Sequence, residues 1–229
     1  MEAACGTLDI DLNQPIAIVV TVPNTVEQQD TLRARATTLT AAGDTVVEPV
    51  IWSSLDTTLL AVLDSMTGKF LGRRPGSTQI LARTGTLRSG SLTITINRAA
   101  DTLYAAGALR DTITVSTNDS VSAPLQVILA DTVTGATPPT VPLVNRPVVF
   151  TITAAPVGAT VTIVPDIVSH AVVAVDTLLT DAAGTAAMRV RYLGGGTLPD
   201  SVRVTATARR AVGTTVAGSP ITFVVRIQP

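Results

Sequence analysis

The residues able to carry chemistry in this chain are few. His170 is its only histidine and Cys5 its only cysteine. A histidine-cluster metal site is therefore excluded, and any Ser/His/Asp triad would have to use His170. Its neighbours Val168, Ser169, Ala171 and Val172 belong to a strand edge or loop, so no catalytic role is assigned to it. No G-x-S-x-G elbow occurs. Gly194-Gly195-Gly196 lacks the following lysine and helix that a phosphate loop needs. Calcium would need converging oxygen ligands, and Asp101, Asp119 and Asp131 fall near an expected domain junction. No D-x-D-x-D-G series arranges them, and they read as turn aspartates. The expectation is no enzyme, no cofactor and no metal.

Composition narrows the partners. Charged residues make up 14% of 229 and the net charge is −1. About 25% is usual. No basic stripe exists for nucleic acid, and no lysine or arginine run for an anionic membrane. Threonine and valine fill the gap, and both suit a pleated sheet. So sparse a charge leaves two readings: a surface coated with Thr, Ser and Gln, or one partly covered by a partner.

The elements that would position side chains are short β runs separated by turn residues. No long amphipathic 3.6-residue pattern is present. In the first half, strands are expected over 15–22, 30–39, 47–53, 59–63, 69–71, 77–84 and 92–96. In 30–39, Leu32, Ala34 and Ala36 share one face and Arg33, Arg35 and Thr37 the other. In the second half, strands are expected over 111–117, 124–130, 147–153, 161–164, 172–179, 185–193, 201–208 and 221–227. The recurring Asp-Thr pairs are strand punctuation rather than a ligand series. A tail (1–11) and two domains (12–97 and 98–229) are expected.

Two resemblances follow from these residues. Ile51-Trp52-Ser53-Ser54-Leu55-Asp56, Leu60-Ala61-Val62, Thr67-Gly68-Lys69-Phe70 and Pro75-Gly76-Ser77-Thr78-Gln79-Ile80-Leu81-Ala82 resemble a group 2 bacterial Ig-like domain in order and spacing. Arg73-Arg74 departs from that pattern. Arg146-Pro147-Val148-Val149-Phe150-Thr151-Ile152, Thr180-Asp181-Ala182-Ala183-Gly184-Thr185-Ala186 and Val202-Arg203-Val204-Thr205-Ala206 resemble a group 1 domain, the module of invasin- and intimin-type surface proteins. The fold implied is all-β, two tandem immunoglobulin-like β-sandwiches. Trp52 would plug the space between two sheets, with Phe150 a core residue of the second domain. Gly68, Gly76 and Gly184 would serve turns.

Ala3-Ala4-Cys5-Gly6 resembles the end of a bacterial lipoprotein signal, although Glu2 departs from it and no apolar stretch precedes it. Cys5 reads as a free thiol in a flexible tail; lipidation there is the alternative that the resemblance raises. The resemblances imply a non-catalytic envelope protein, periplasmic or at the cell surface. Two domain types occurring once each favour an accessory subunit that packs on an integral membrane complex through strand edges and loops. It would touch the membrane only through partners or a lipid on Cys5. An adhesin or stalk segment is the alternative, as is a carbohydrate-binding module. The last would need exposed aromatics, of which Tyr104 and Tyr192 remain once Trp52 is placed in the core.

Overall fold

The computed structural model describes residues 13–115, 120–133, 137, 140–169 and 171–229. The described residues are all-β, and the chain divides into two compact units, one ending at Arg98 and the other beginning at Ala99.

The first unit contains β1 (Pro15–Thr21), β2 (Thr25–Glu27), β3 (Thr31–Arg33), β4 (Arg35–Thr40), β5 (Thr45–Val46), β6 (Ile51–Ser54), β7 (Leu60–Asp64), β8 (Lys69–Gly72), β9 (Gly76–Thr84), β10 (Leu87–Arg88) and β11 (Leu92–Asn97). These form the sheets β1-β4-β5, β10-β9-β11-β2 with β6 beside β9, and β3-β8-β7. Period-2 alternation sends Ile80, Ala82, Ile94 and Ile96 inward against Leu60, Phe70 and Trp52.

Two strand expectations change here. The run 30–39 is not one strand but two, because the chain changes sheets at Ala34. β3 pairs with β8 and β4 with β1, while the Ala34 N–H donates to Gly68 O at 2.8 Å. Leu32, Ala34 and Ala36 still face the core, so alternation alone carries no sign of the switch. The run expected from Val47 starts only at Ile51, and Val47 is 96% exposed. Pro49 interrupts it, since proline has no N–H to give a ladder.

The second unit contains β12 (Thr102–Ala105), β13 (Arg110–Thr114), β14 (Ser120–Val121), β15 (Leu125–Thr132), β16 (Thr140–Pro142), β17 (Pro147–Ala154), β18 (Ala159–Val164), β19 (Val175–Leu179), β20 (Thr185–Gly195), β21 (Asp200–Ala208) and β22 (Ile221–Gln228). One sheet runs β12-β15-β20-β14, with β16 beside β15 and β18 beside β20; the other runs β13-β22-β21-β17-β19. The inward faces of both meet in one core: Leu125, Val127, Leu129, Ile163, Met188 and Val190 on one side, Val148, Phe150, Val204, Phe223 and Val225 on the other. Among the described residues the strands pair antiparallel except β13 with β22, and β2 with β11 in the first unit; an isolated parallel bridge also joins Thr102 to Ala217. The strand expected from Val172 begins at Val175, because residues 171–174 serve a different purpose, described next.

Candidate functional site

The structure places the sequence-derived residues as follows. Trp52 is buried on β6 and meets Phe70 edge-on, ring centroids 6.1 Å apart and planes at 88°. Gly68 lies against it: a Cβ there would fall 2.6 Å from Ala34 O and 2.9 Å from the indole Nε1. With φ at +66° as well, the turn needs glycine on both counts. Gly76 has φ +149° and faces the Leu59 side chain. Phe150 is fully buried between the sheets of the second unit. Gly184 closes the β19–β20 connection at φ +72°, where Asp181 Oδ1 accepts the N–H groups of Ala183 (2.8 Å) and Thr185 (2.9 Å). Cys5, His170 and Asp119 lie outside the described residues.

Two of the three carboxylates considered for calcium do come together. Asp101 precedes β12, and Asp131 is buried in β15 beside it. Burial and a hydrogen bond with Asp131 push the Asp101 carboxyl above the ordinary aspartate value, against the Thr132 N–H and Arg210, which pull it down. The Arg210 guanidinium stands 3.8 Å from Asp101, where a second positive charge would be repelled. Among the described residues no three His, Cys, Asp or Glu side chains gather to hold a metal.

The aromatic platform fails at one of its two residues. Tyr192 is buried in β20 and donates its hydroxyl hydrogen to Gly195 O at 2.7 Å, so it is a core residue and not the exposed ring considered from sequence. Tyr104 is 39% exposed. Trp52 borders a groove lined also by Arg33, Arg35, Glu48 and Met66, yet only 4% of it is accessible, too little for a sugar to stack on.

The feature that sequence reading missed is the segment formed by residues 165–169 and 171–174, and the strand edge that follows it. Its main chain is held by polar groups from the body of the unit. Asp166 Oδ1 accepts the N–H groups of Val168 (2.8 Å) and Ser169 (2.7 Å). These bonds, with the positive Arg191 nearby, lower its carboxyl below the usual range. The buried Arg191 donates from Nη2 to the Ile167 carbonyl. The buried Thr162 hydroxyl accepts the Val173 N–H at 2.7 Å and lies 2.7 Å from Ala171 O. Residues 173 and 174 then bridge the two sheets: Val173 O accepts from Ile163 of β18, and Ala174 O from Ile152 of β17.

So tethered, the segment turns its apolar side chains out. Ile167, Val168 and Val172 are 64%, 75% and 66% exposed. β19 continues this surface as the last strand of its sheet, with Val175 and Leu179 exposed. Inward main-chain bonds at Ala174 and Thr180 mean that Val175, Thr177 and Leu179 direct theirs away from β17, by alternation. The Asp176 carboxylate occupies one of these, the Thr177 N–H, at 2.8 Å. The signal in the sequence was an apolar run, Ala171-Val172-Val173-Ala174-Val175, which period-2 reading absorbs into a strand.

No family model matches the chain, and no curated protein matches it. Similar folds occur among solved structures. Domains 4 and 5 of the S-layer protein SbsC match at 12% identity over 94% of this chain and 100% of that one, with a TM-score of 0.36. The Yersinia pseudotuberculosis adhesin InvE matches at 19% identity over 91% of this chain and 58% of that one, TM-score 0.39. Fibronectin(III)-like modules of Clostridium thermocellum CbhA match at 11% identity over 92% and 94%, TM-score 0.41. At these scores none carries an activity, ligand or partner over to this chain.

Proposed function

We propose that this chain is a non-catalytic binding module of the bacterial cell envelope, exported and built from a group 2-like and a group 1-like Ig-like domain. It works as an accessory subunit, holding an integral membrane partner through the β19 edge and the exposed Ile167, Val168 and Val172 beside it. One observation carries the reading: buried polar anchors at Thr162 and Arg191 hold an apolar segment out in solvent. Apolar groups left to water are costly, and contiguous exposed apolar patches mark contact sites. A free strand edge adds main-chain pairing to such a contact. Lipidation at Cys5 would add a membrane tether, which the intact mass of the native chain would reveal.

Photo-crosslinking in intact envelopes tests this. A crosslinker at Val168 or Leu179 is expected to capture the same integral membrane protein, while one at the exposed Val47 of the first unit captures none. Val168→Asp with Val172→Asp should release the chain from that partner on detergent extraction. Absence of any common membrane partner, with the chain open to added protease on intact cells, would favour the stalk reading instead.

A further inference from the structure

The hairpin joining β9 to β10 in the first unit carries two like charges face to face. Arg83 of β9 lies directly opposite Arg88 of β10, and both are exposed. Side chains directly opposite in an antiparallel pair have Cβ atoms about 5 Å apart, and like charges there are destabilising. Across β9 from Arg88, Arg83 also lies opposite Ile51 of β6, with Leu81 opposite Ser53 in a neighbouring row. A shallow cavity of about 270 Å³ opens here, lined by Ile51, Ser53, Leu81, Ala82, Arg83 and Arg88.

The strands around this pair supply no counter-charge. β6, β9, β10 and β11, and β1 beside β10, contain no aspartate or glutamate. The cavity lining holds no carboxylate either. Of the acids flanking β6, Glu48 lines the separate groove beside Arg33 and Arg35. Asp56 turns its Oδ1 to the Thr58 N–H at 2.8 Å. Among the described residues neither Arg83 nor Arg88 has a hydrogen-bond or ion-pair partner for its side chain. One charged side chain on a short outer strand guards the sheet edge against pairing. That role does not explain a second one placed to repel it.

We propose that Arg83 and Arg88 together bind a phosphomonoester group. Two guanidiniums offer two planar forks and two positive charges. A phosphomonoester carries about −1.5 to −2 charges at neutral pH and three strong acceptor oxygens. It engages both forks and removes their mutual repulsion. A carboxylate, a sulfate ester or a phosphodiester brings one negative charge and leaves one guanidinium uncompensated. Ser53 adds a hydroxyl to the lining, and Ile51, Leu81 and Ala82 add apolar surface for the carbon skeleton of the ligand. Nucleic acid presents phosphodiesters, and its bases would need aromatic platforms, which this lining lacks.

The test is calorimetric titration of the full chain with glucose 1-phosphate, with glucose 6-sulfate as the singly charged comparison. Saturable binding of the phosphate ester is expected at about pH 7.5. It should be about tenfold weaker at about pH 5, where the ester holds its second proton. The sulfate ester keeps one charge throughout and should bind weakly at both. Arg83→Gln and Arg88→Gln should each weaken the phosphate ester at least about tenfold. Neither should lower the melting temperature, because each removes a repulsion. Arg35→Gln, an exposed arginine of the same unit, should leave binding unaltered. Flotation with vesicles of phosphatidic acid in phosphatidylcholine separates the sources of the group. Retention that Arg83→Gln abolishes assigns it to a lipid; glucose 1-phosphate binding without retention assigns it to a soluble ester. Three results would overturn the proposal: no binding of either phosphate, equal binding of the sulfate ester, or equal loss in Arg35→Gln. None of these residues belongs to the second unit, so such a failure leaves the partner-docking reading standing.

Discussion

Replacing Gly68 by alanine tests whether the Trp52 plug depends on close approach of a turn. Two costs are expected. The φ of +66° places Cβ in the left-handed region, at about 1–2 kcal/mol. The added carbon would also sit 2.6 Å from Ala34 O, and that carbonyl cannot simply retreat. Ala34 is itself tied to Gly68 O by its N–H at 2.8 Å, and Trp52 closes the other side. Forcing an atom into a packed site adds about 1–3 kcal/mol. The total is about 2–5 kcal/mol for Gly68→Ala. Gly43→Ala is the control: its φ is +87°, but no atom lies within 4 Å of the added carbon, so only the backbone cost of about 1–2 kcal/mol applies. Trp52 is the sole tryptophan, so its fluorescence during urea unfolding reports on the first unit alone. Each kcal/mol corresponds to about 4–8 °C in melting temperature for a domain of this size. Equal destabilisation by the two alanines would refute the close-approach argument.

Two further predictions concern the second unit, which holds both tyrosines and so reports through tyrosine absorbance. Phe150→Ala removes a fully buried ring and should cost about 3–5 kcal/mol in urea unfolding. Asp101 holds its proton to a higher pH in the folded chain than the ordinary value of 3.8. The folded state therefore binds more protons than the unfolded one as pH rises from 3.8 towards the raised value, and stability falls across that window. Asp101→Asn should flatten that fall and raise the melting temperature at neutral pH relative to the wild type; an unchanged slope would remove the carboxyl pair as its source.

Much of the sandwich was legible because alternation is a local signal. The run from Pro147 to Thr153 and that from Ser201 to Ala208 keep period 2 without interruption, and both are strands. What escaped was non-local. The sheet change at Ala34 preserves the inward face, so no residue type marks it. The strand β2 is three residues long and owes its existence to β11, far away in sequence, while β5 is a two-residue return onto β4, too short for alternation to show. Tyr192 remains a candidate surface ring in the sequence because only Trp52 is assigned to the core there. The structure buries both Arg191 and Tyr192: Tyr192 joins the core between the sheets, and Arg191, on the opposite face, donates to the Ile167 carbonyl. The exposure of Ile167, Val168 and Val172 was hidden for another reason: their anchors, Thr162 and Arg191, hold main-chain groups and leave no mark on the side-chain pattern.

The parallel pairing of β13 with β22 has a mechanical consequence. Five residue pairs, from Arg110 with Val224 to Thr114 with Gln228, join these strands. One strand lies near the beginning of the unit and the other closes it. Traction applied through the two ends reaches neighbours that point the same way, so the rungs between them are loaded in shear and share the force. They cannot be unzipped singly, as an antiparallel hairpin pulled from its open end would be. For a module that tethers one body to another, resistance to tension is then set by this one seam.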